Sequence, residues 1–271
     1  MKKVVVVGAG FGGLDAARHL ASRAEDAELE VVLVDKHNYH TFMPLLYQVA
    51  TAMQNVESIA FPVRALFHGK RNIRFLLAEV QRVDAANKKL ETTAGPVEYD
   101  YLVLAGGSVT NFFGMDSVAK VAFELKDLHD ATRLRNHILE SFEKASRCDD
   151  PQKQKALMTF VVVGGGPTGV EFSGALSELI HHVLSKDFPQ LPVQDSYYFS
   201  GSGRSFAGAI SQTVAAICLA TSEKYGCRCA LGKCRERGGA DKSTFEGRHG
   251  NSILHAVLGG RSEGRRDWRN A

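Results

Sequence analysis

Hydrophobic positions along this chain follow two rhythms: short unbroken runs, and stripes that recur every three to four residues. Val4-Val5-Val6-Val7 is the first run, the pattern of a strand covered on both faces of a parallel sheet. Ala17, Leu20, Ala21 and Ala24 then recur at helical spacing and define one apolar face. Glu30-Val31-Val32-Leu33-Val34 is a second strand that ends on Asp35. Arg74 to Val80 predicts a further strand, Lys88 to Tyr99 a small β-meander turning at Ala94-Gly95-Pro96, and Tyr99 to Gly107 a buried strand ending on small residues. Residues 59–66 predict the start of a short helix or a turn. Lys36 to Ala52 mixes aromatic and polar residues around Pro44 and fits neither period. Such a segment is either a covering piece whose aromatics fill the core or a ligand-binding loop at the carboxyl edge of the sheet.

From Ala122 to Ala145, Leu125, Leu128, Ala131, Leu134 and Ile138 form a stripe with charged residues outside it, predicting a solvated helix that connects two units. His129 and His137 lack ligand spacing and read as surface or capping residues. Asp149-Asp150-Pro151 reads as a linker. The opening pattern then returns: Thr159 to Val163 is a strand, followed by a helix with Leu176, Leu179, Ile180 and Val183 on one face. Alternating strands and helices of this kind predict an α/β fold.

Glycines mark both strand–helix junctions. Gly8, Gly10 and Gly13 stand at GxGxxG spacing, and Asp35 lies 22 residues beyond Gly13. In this arrangement the first glycine permits a tight turn, the second lets backbone approach a pyrophosphate, and the third lets helix and strand pack closely. The helix N-terminus offers N–H groups to the phosphates, and the acid accepts from a ribose. Gly164, Gly166 and Gly169 repeat the fingerprint 156 residues further on. Two such sites suggest two dinucleotides and hydride transfer between them. Glu171 is expected in the first turn of the second helix, either as an acid stabilised by the helix dipole or as a proton relay beside the cofactors. His181 and His182 are adjacent, so they diverge and chelate no single metal well.

The formal charge of +3 conceals an asymmetry. Residues 1–195 carry 21 Lys+Arg against 24 Asp+Glu, and residues 196–271 carry 12 against 6. The basic excess therefore belongs to the tail and does not make the chain a nucleic-acid binder. Cys148 stands alone in the first part, while Cys218, Cys227, Cys229 and Cys234 crowd the second; a head so poor in cysteine suits a reducing cytoplasm. Met1-Lys2-Lys3 before an apolar run imitates a signal peptide, but the glycines, Asp15 and Arg18 argue against one. No stretch reaches the ~20 apolar residues of a spanning helix.

These residues resemble the type II NADH dehydrogenases, single-subunit NADH:quinone oxidoreductases of the two-dinucleotide-binding flavoproteins. Asn38-Tyr39-His40, Pro44-Leu45-Leu46-Tyr47-Gln48-Val49-Ala50-Thr51, Tyr99 to Gly107, Ala122-Phe123-Glu124-Leu125-Lys126 and Gly164 to Glu171 carry the resemblance, which covers residues 1–195. It implies two Rossmann-like units, an FAD domain begun by 1–120, a connecting helix and linker at 121–158, and the start of an NADH domain at 159–195. FAD would be held by Gly8, Gly10, Phe11, Gly12, Gly13, Asp35, Lys36, Val80, Ala105 and Gly106, with Pro44, Leu46 and Gln48 against the isoalloxazine. NADH would be held by Gly164, Gly166, Pro167, Thr168 and Gly169, and Glu171 would be catalytic. A quinone is the implied acceptor, at the cytoplasmic face of the inner membrane if an anchor is present, and a homodimer is compatible with the family. Ala105-Gly106-Gly107 departs from the usual Ala-Thr-Gly, and no cysteine pair lies between Asp35 and Thr51, which disfavours a thiol mechanism.

The resemblance stops after Asp195. No proline follows Pro192, whereas 12 of 26 glycines and nine arginines lie beyond residue 195. This composition reads as an out-of-frame translation or a disordered tail, leaving the fold C-terminally incomplete. Cys227, Cys229 and Cys234 lack paired C-x-x-C spacing, so no metal site is expected. A non-catalytic dinucleotide-binding remnant and a related flavoprotein reductase with another acceptor remain alternative readings.

Overall fold

The computed structural model describes residues 1–112, 119–164 and 166–193, together with the backbone of four short strands at 197–200, 228–230, 255–258 and 262–264. The chain forms two compact units, one of Met1–Phe42, Val56–Val109 and Ser262–Ala271, the other of Met43–Asn55 and Thr110–Arg261.

In the first unit, β1 (Lys2–Val7), β2 (Leu29–Asp35), β5 (Ile73–Leu77) and β9 (Tyr101–Leu104) form a parallel sheet in the order β5-β2-β1-β9. The valine run is unbroken because alternate residues enter different cores. Val6 packs with Leu14, Ala17 and Ala21 of α1 (Phe11–Ala27). Val5 and Val7 pack with Leu90 and Val97 of an antiparallel meander, β6 (Val80–Asp84), β7 (Lys89–Thr92) and β8 (Gly95–Glu98). The sheet is therefore sandwiched between a helix and three strands, which is why no polar residue interrupts its centre.

The single strand expected over 74–80 is two. Ala78 donates its N–H to the Asp35 carbonyl (2.9 Å), whereas the next residue, Glu79, donates to Thr93 Oγ1 (3.0 Å) and accepts from the Thr93 N–H (3.0 Å). The backbone changes partner from β2 to the meander within two residues, so Val80 opens a new sheet. Residues 59–66 likewise divide: β4 (Ala60–Pro62) pairs antiparallel with β3 (Tyr39–Thr41), and a 3₁₀ turn follows at Val63–Phe67. β10 (Ser108–Thr110) and β16 (Ser262–Gly264) make a two-stranded sheet.

The second unit is a five-stranded parallel sheet in the order β11-β15-β12-β13-β14, from β11 (Phe123–Glu124), β12 (Phe160–Val163), β13 (Tyr197–Ser200), β14 (Arg228–Ala230) and β15 (His255–Leu258). The ambiguous segment contributes a 3₁₀ turn at Met43–Leu45 and α2 (Leu46–Ala50), which packs on α3 (Leu128–Ser146) and α5 (Pro167–Glu178). Three sequence expectations change here. The connecting helix starts at Leu128, since Asp127 caps it by accepting the Asp130 N–H (2.8 Å); its Leu128–Ile138 stripe is buried, while Arg133, Glu140 and Glu143 outside the stripe are exposed as expected. His137 is half-buried and stacks on Phe123, with centroids 4.4 Å apart, so it is no simple surface histidine. The Asp149–Pro151 linker is the start of α4 (Pro151–Leu157), with Asp150 accepting from the N–H groups of Gln152 (2.9 Å) and Lys153 (3.3 Å).

Beyond α5 the helix widens into a π turn at Leu179–Leu184. Leu176, Leu179 and Ile180 are buried as expected, but Val183 is 47% exposed and Leu184 takes the inner place. A π turn inserts an extra residue, so the apolar stripe slips by one position. Among the described residues no helix is long and apolar enough to cross a membrane.

Candidate functional site: two glycine turns

At the carboxyl ends of β1 and β2 lies a cleft of about 230 Å³, lined by Gly8, Gly10, Asp35, Lys36, His37, Val80, Ala105 and Gly106 among others. Seven of the residues expected to hold FAD thus converge there, at the point where the sheet order reverses about β1. Gly8 has φ +100°, and a Cβ on it would run into the carbonyl of Ala105. A Cβ on Gly13 would collide with the carbonyl of Gly8 and approach Ala105 Cβ to 3.1 Å. At Gly10 and Gly12 a Cβ would meet nothing within 4 Å. Two glycines of the first turn are thus required by close backbone approach, while Gly10 keeps room open in the cleft.

The turn is tied down by Asp35. Its Oδ2 accepts the Ala9 N–H (2.6 Å) and its Oδ1 the His37 N–H (2.7 Å). The carboxylate sits at the cleft wall with each oxygen retaining lone-pair capacity for a ribose hydroxyl. His40, which the sequence reading left without a role, is buried, and its Nδ1 lies 2.8 Å from the Ala9 carbonyl. Phe11 meets the His40 ring edge-on (5.2 Å) and also Phe42 (5.5 Å). The available signal was the inward position of His40 on a three-residue strand, too short for periodicity to reveal.

Pro44, Leu46 and Gln48 fall in the second unit. Leu46 is buried, Pro44 is exposed, and Gln48 is half-buried and donates to Tyr47 Oη (3.1 Å). In that unit Gly164 has φ +126°, Gly166 is the N-cap of α5 with no side-chain cap, and Pro167 opens the helix. Thr168 is exposed and Gly169 buried. The proline has no N–H, so Thr168 and Gly169 supply first-turn donors characteristic of an anion site. Glu171 is the fifth residue of α5, in its second turn rather than its first, because the helix begins at Pro167. Its carboxyl is pushed up from the usual glutamate range by burial, although the residue keeps solvent access. Among the described residues no group of three His, Cys, Asp or Glu is arranged to hold a metal, and the side chains of the tail cysteines lie outside those residues.

Both turns follow a parallel strand and open a helix, and residues 2–191 match the model of the pyridine nucleotide-disulphide oxidoreductases. The chain belongs to that family. Within this oxidoreductase family, it is 40% identical over 190 residues to the type II NADH:quinone oxidoreductase Ndh of Mycobacterium tuberculosis, an alignment covering 69% of this chain and 40% of the relative. It is 34% identical over 185 residues to the type II NADH:quinone oxidoreductase of Staphylococcus aureus, covering 68% of this chain and 45% of the relative. The solved structure of NDH2 from Plasmodium falciparum in complex with NADH superposes with a TM-score of 0.66 at 26% identity, over 74% of this chain and 41% of that one. The chain thus spans under half the length of these relatives. Unlike the disulphide-reducing enzymes for which the family is named, it has no cysteine before Cys148.

Proposed function

We propose that this oxidoreductase chain binds FAD at the first glycine turn and NADH at the second, and serves NADH:quinone oxidoreduction. The convergence of Gly8, Gly10, Asp35, Lys36, Val80, Ala105 and Gly106 on one cleft carries the reading. The fit to FAD rests on that cradle: Gly10 leaves space where a pyrophosphate must approach backbone, and Asp35 presents acceptors to the ribose. Bound FAD supplies the hydride-accepting chemistry. The protein's own part is to bind and orient. Phe11 and Gly12 begin the helix whose N-terminus faces the phosphates, and Gly13 holds that helix against the turn. Gly164, Gly166, Pro167, Thr168 and Gly169 play the corresponding parts for NADH, and Glu171 holds or passes a proton. Residues 1–120 are assigned to the FAD side, 121–158 to the connection, 159–195 to the NADH side, and 196–271 to a tail outside the family pattern. The acceptor is a quinone, and the chain acts in the cytoplasm, or at the cytoplasmic face of the inner membrane where an anchor holds it.

The test is spectroscopic. The purified chain, reconstituted with FAD, is expected to turn yellow, to bleach on anaerobic NADH addition, and to recover colour with a soluble quinone. A chain that takes up no FAD overturns the reading. One that binds FAD without bleaching is a dinucleotide-binding segment alone. Glu171→Gln is expected to leave FAD content unchanged and slow quinone turnover by about 100-fold. Because the carboxyl is held high, it stays protonated to a higher pH than a free glutamate. The protonated carboxyl is the proton-holding form, so activity should fall as pH rises through a value above the ordinary glutamate range, and that limb should vanish in the variant; a superimposable profile rules out Glu171.

A further inference from the structure

His40 is a buried imidazole for which the proposed reaction has no use. Its Nδ1 lies 2.8 Å from the carbonyl oxygen of Ala9. A carbonyl only accepts, so Nδ1 carries the proton and the ring tautomer is fixed by the protein. Ala9 is held from its other side as well, its N–H donating to Asp35 Oδ2 (2.6 Å). The residue between the first two fingerprint glycines is therefore clamped by the end of β2 and by β3 together. The peptide joining Ala9 to Gly10 is trans, so its C=O and N–H point in opposite directions. Fixing that carbonyl on His40 aims the Gly10 N–H away from the imidazole. Gly10 lines the cleft, and a Cβ there would meet no protein atom within 4 Å. Phe11 meets the ring edge-on at 5.2 Å.

We propose that His40 is a positioning residue for the pyrophosphate of the dinucleotide, setting the direction of the Gly10 N–H through the Ala9 carbonyl. The assignment rests on the reading that the first glycine turn binds FAD. A passive core histidine would fill space; this one fixes a peptide plane. Its requirement is a hydrogen-bond donor at the Nδ1 position, and the ring itself is dispensable.

The experiment measures FAD affinity of the full chain by flavin fluorescence and the two phosphorus resonances of bound FAD by NMR, with thermal melting of the FAD-free chain alongside. His40→Phe keeps the aromatic packing and removes the donor; affinity should fall about tenfold, with displaced phosphorus resonances. His40→Asn places an amide N–H near the Nδ1 position; affinity should return to within about threefold and the resonances to their original positions. Should the phenylalanine variant fail to fold, His40→Leu replaces it as the donor-free variant, with the same two readouts and the same expected losses. The inference is overturned if His40→Phe binds FAD as tightly as the unsubstituted chain with unmoved resonances. It is equally overturned if His40→Asn folds yet leaves affinity and phosphorus shifts altered. An unsubstituted chain that binds no FAD overturns the function reading itself, which this control separates from a failure of His40.

Discussion

Gly13→Ala is expected to abolish the first dinucleotide site and lower stability by about 3 kcal/mol. The added methyl would occupy the position of the Gly8 carbonyl, and it would press on Ala105 Cβ at 3.1 Å. Neither obstacle is a flexible side chain, so relief requires α1 to move away from β1. That movement opens the core in which Leu14, Ala17 and Ala21 pack against Val6. Gly10→Ala is the matched control. Its methyl meets nothing within 4 Å, so stability should change by under about 0.5 kcal/mol. The same methyl projects into the cleft proposed to take the pyrophosphate, and FAD affinity should fall ~10–100-fold. Denaturant unfolding and FAD titration of both variants check the pair. Equal stability loss in the two would refute the division between a packing glycine and a binding glycine.

Asp35→Ala should produce the second large effect, a stability loss of about 2–3 kcal/mol together with at least ~100-fold weaker FAD binding. The carboxylate accepts two backbone N–H groups, from Ala9 at 2.6 Å and His37 at 2.7 Å. Hydrogen bonds to a charged acceptor are the stronger kind, and removal leaves both donors without that partner. Its side chain is 18% exposed, so water restores part of the loss, which is why the figure stays below the sum of two such bonds. Asp35→Asn keeps one carbonyl acceptor and should fall between the two. Calorimetry of the FAD-free variants isolates the clamp from the ribose contact. An alanine variant as stable as the unsubstituted chain would reduce Asp35 to a ligand contact only.

Much of the architecture was legible in the chain. The valine runs, the helical stripes and the two glycine turns located β1, α1, β2, β9, β12 and α5 to within a few residues. These elements are local: their signals lie in consecutive residues, and burial on two faces leaves β1 and β2 as continuous apolar runs, whereas β9, expected to be buried, lies at the sheet edge with Tyr101 and Leu104 exposed. Of what escaped, one break depended on distant partners and two on local backbone geometry that an apolar pattern does not record. The break at Ala78-Glu79 exists because one backbone group finds Asp35 and the next finds Thr93. The linker at Asp149–Pro151 became a helix because Asp150 accepts the N–H groups beyond it. The slip that exposes Val183 arises from a π turn, and the periodicity used to read helices assumes a constant rise and angle.

The sequence by itself determined that this chain carries two strand–glycine–helix turns, one with an acid at the end of the following strand. Those features are spacings and residue types. Tertiary structure decided the division of duties among the glycines, since Gly8 faces the backbone of Ala105 and Gly13 that of Gly8, while Gly10 faces open space. It also decided that Asp35 and His40 act on the same residue, Ala9. The physical reason is that a hydrogen bond and a steric limit are properties of distance, and residues 9, 35, 40 and 105 become neighbours only when the sheet brings their strands together.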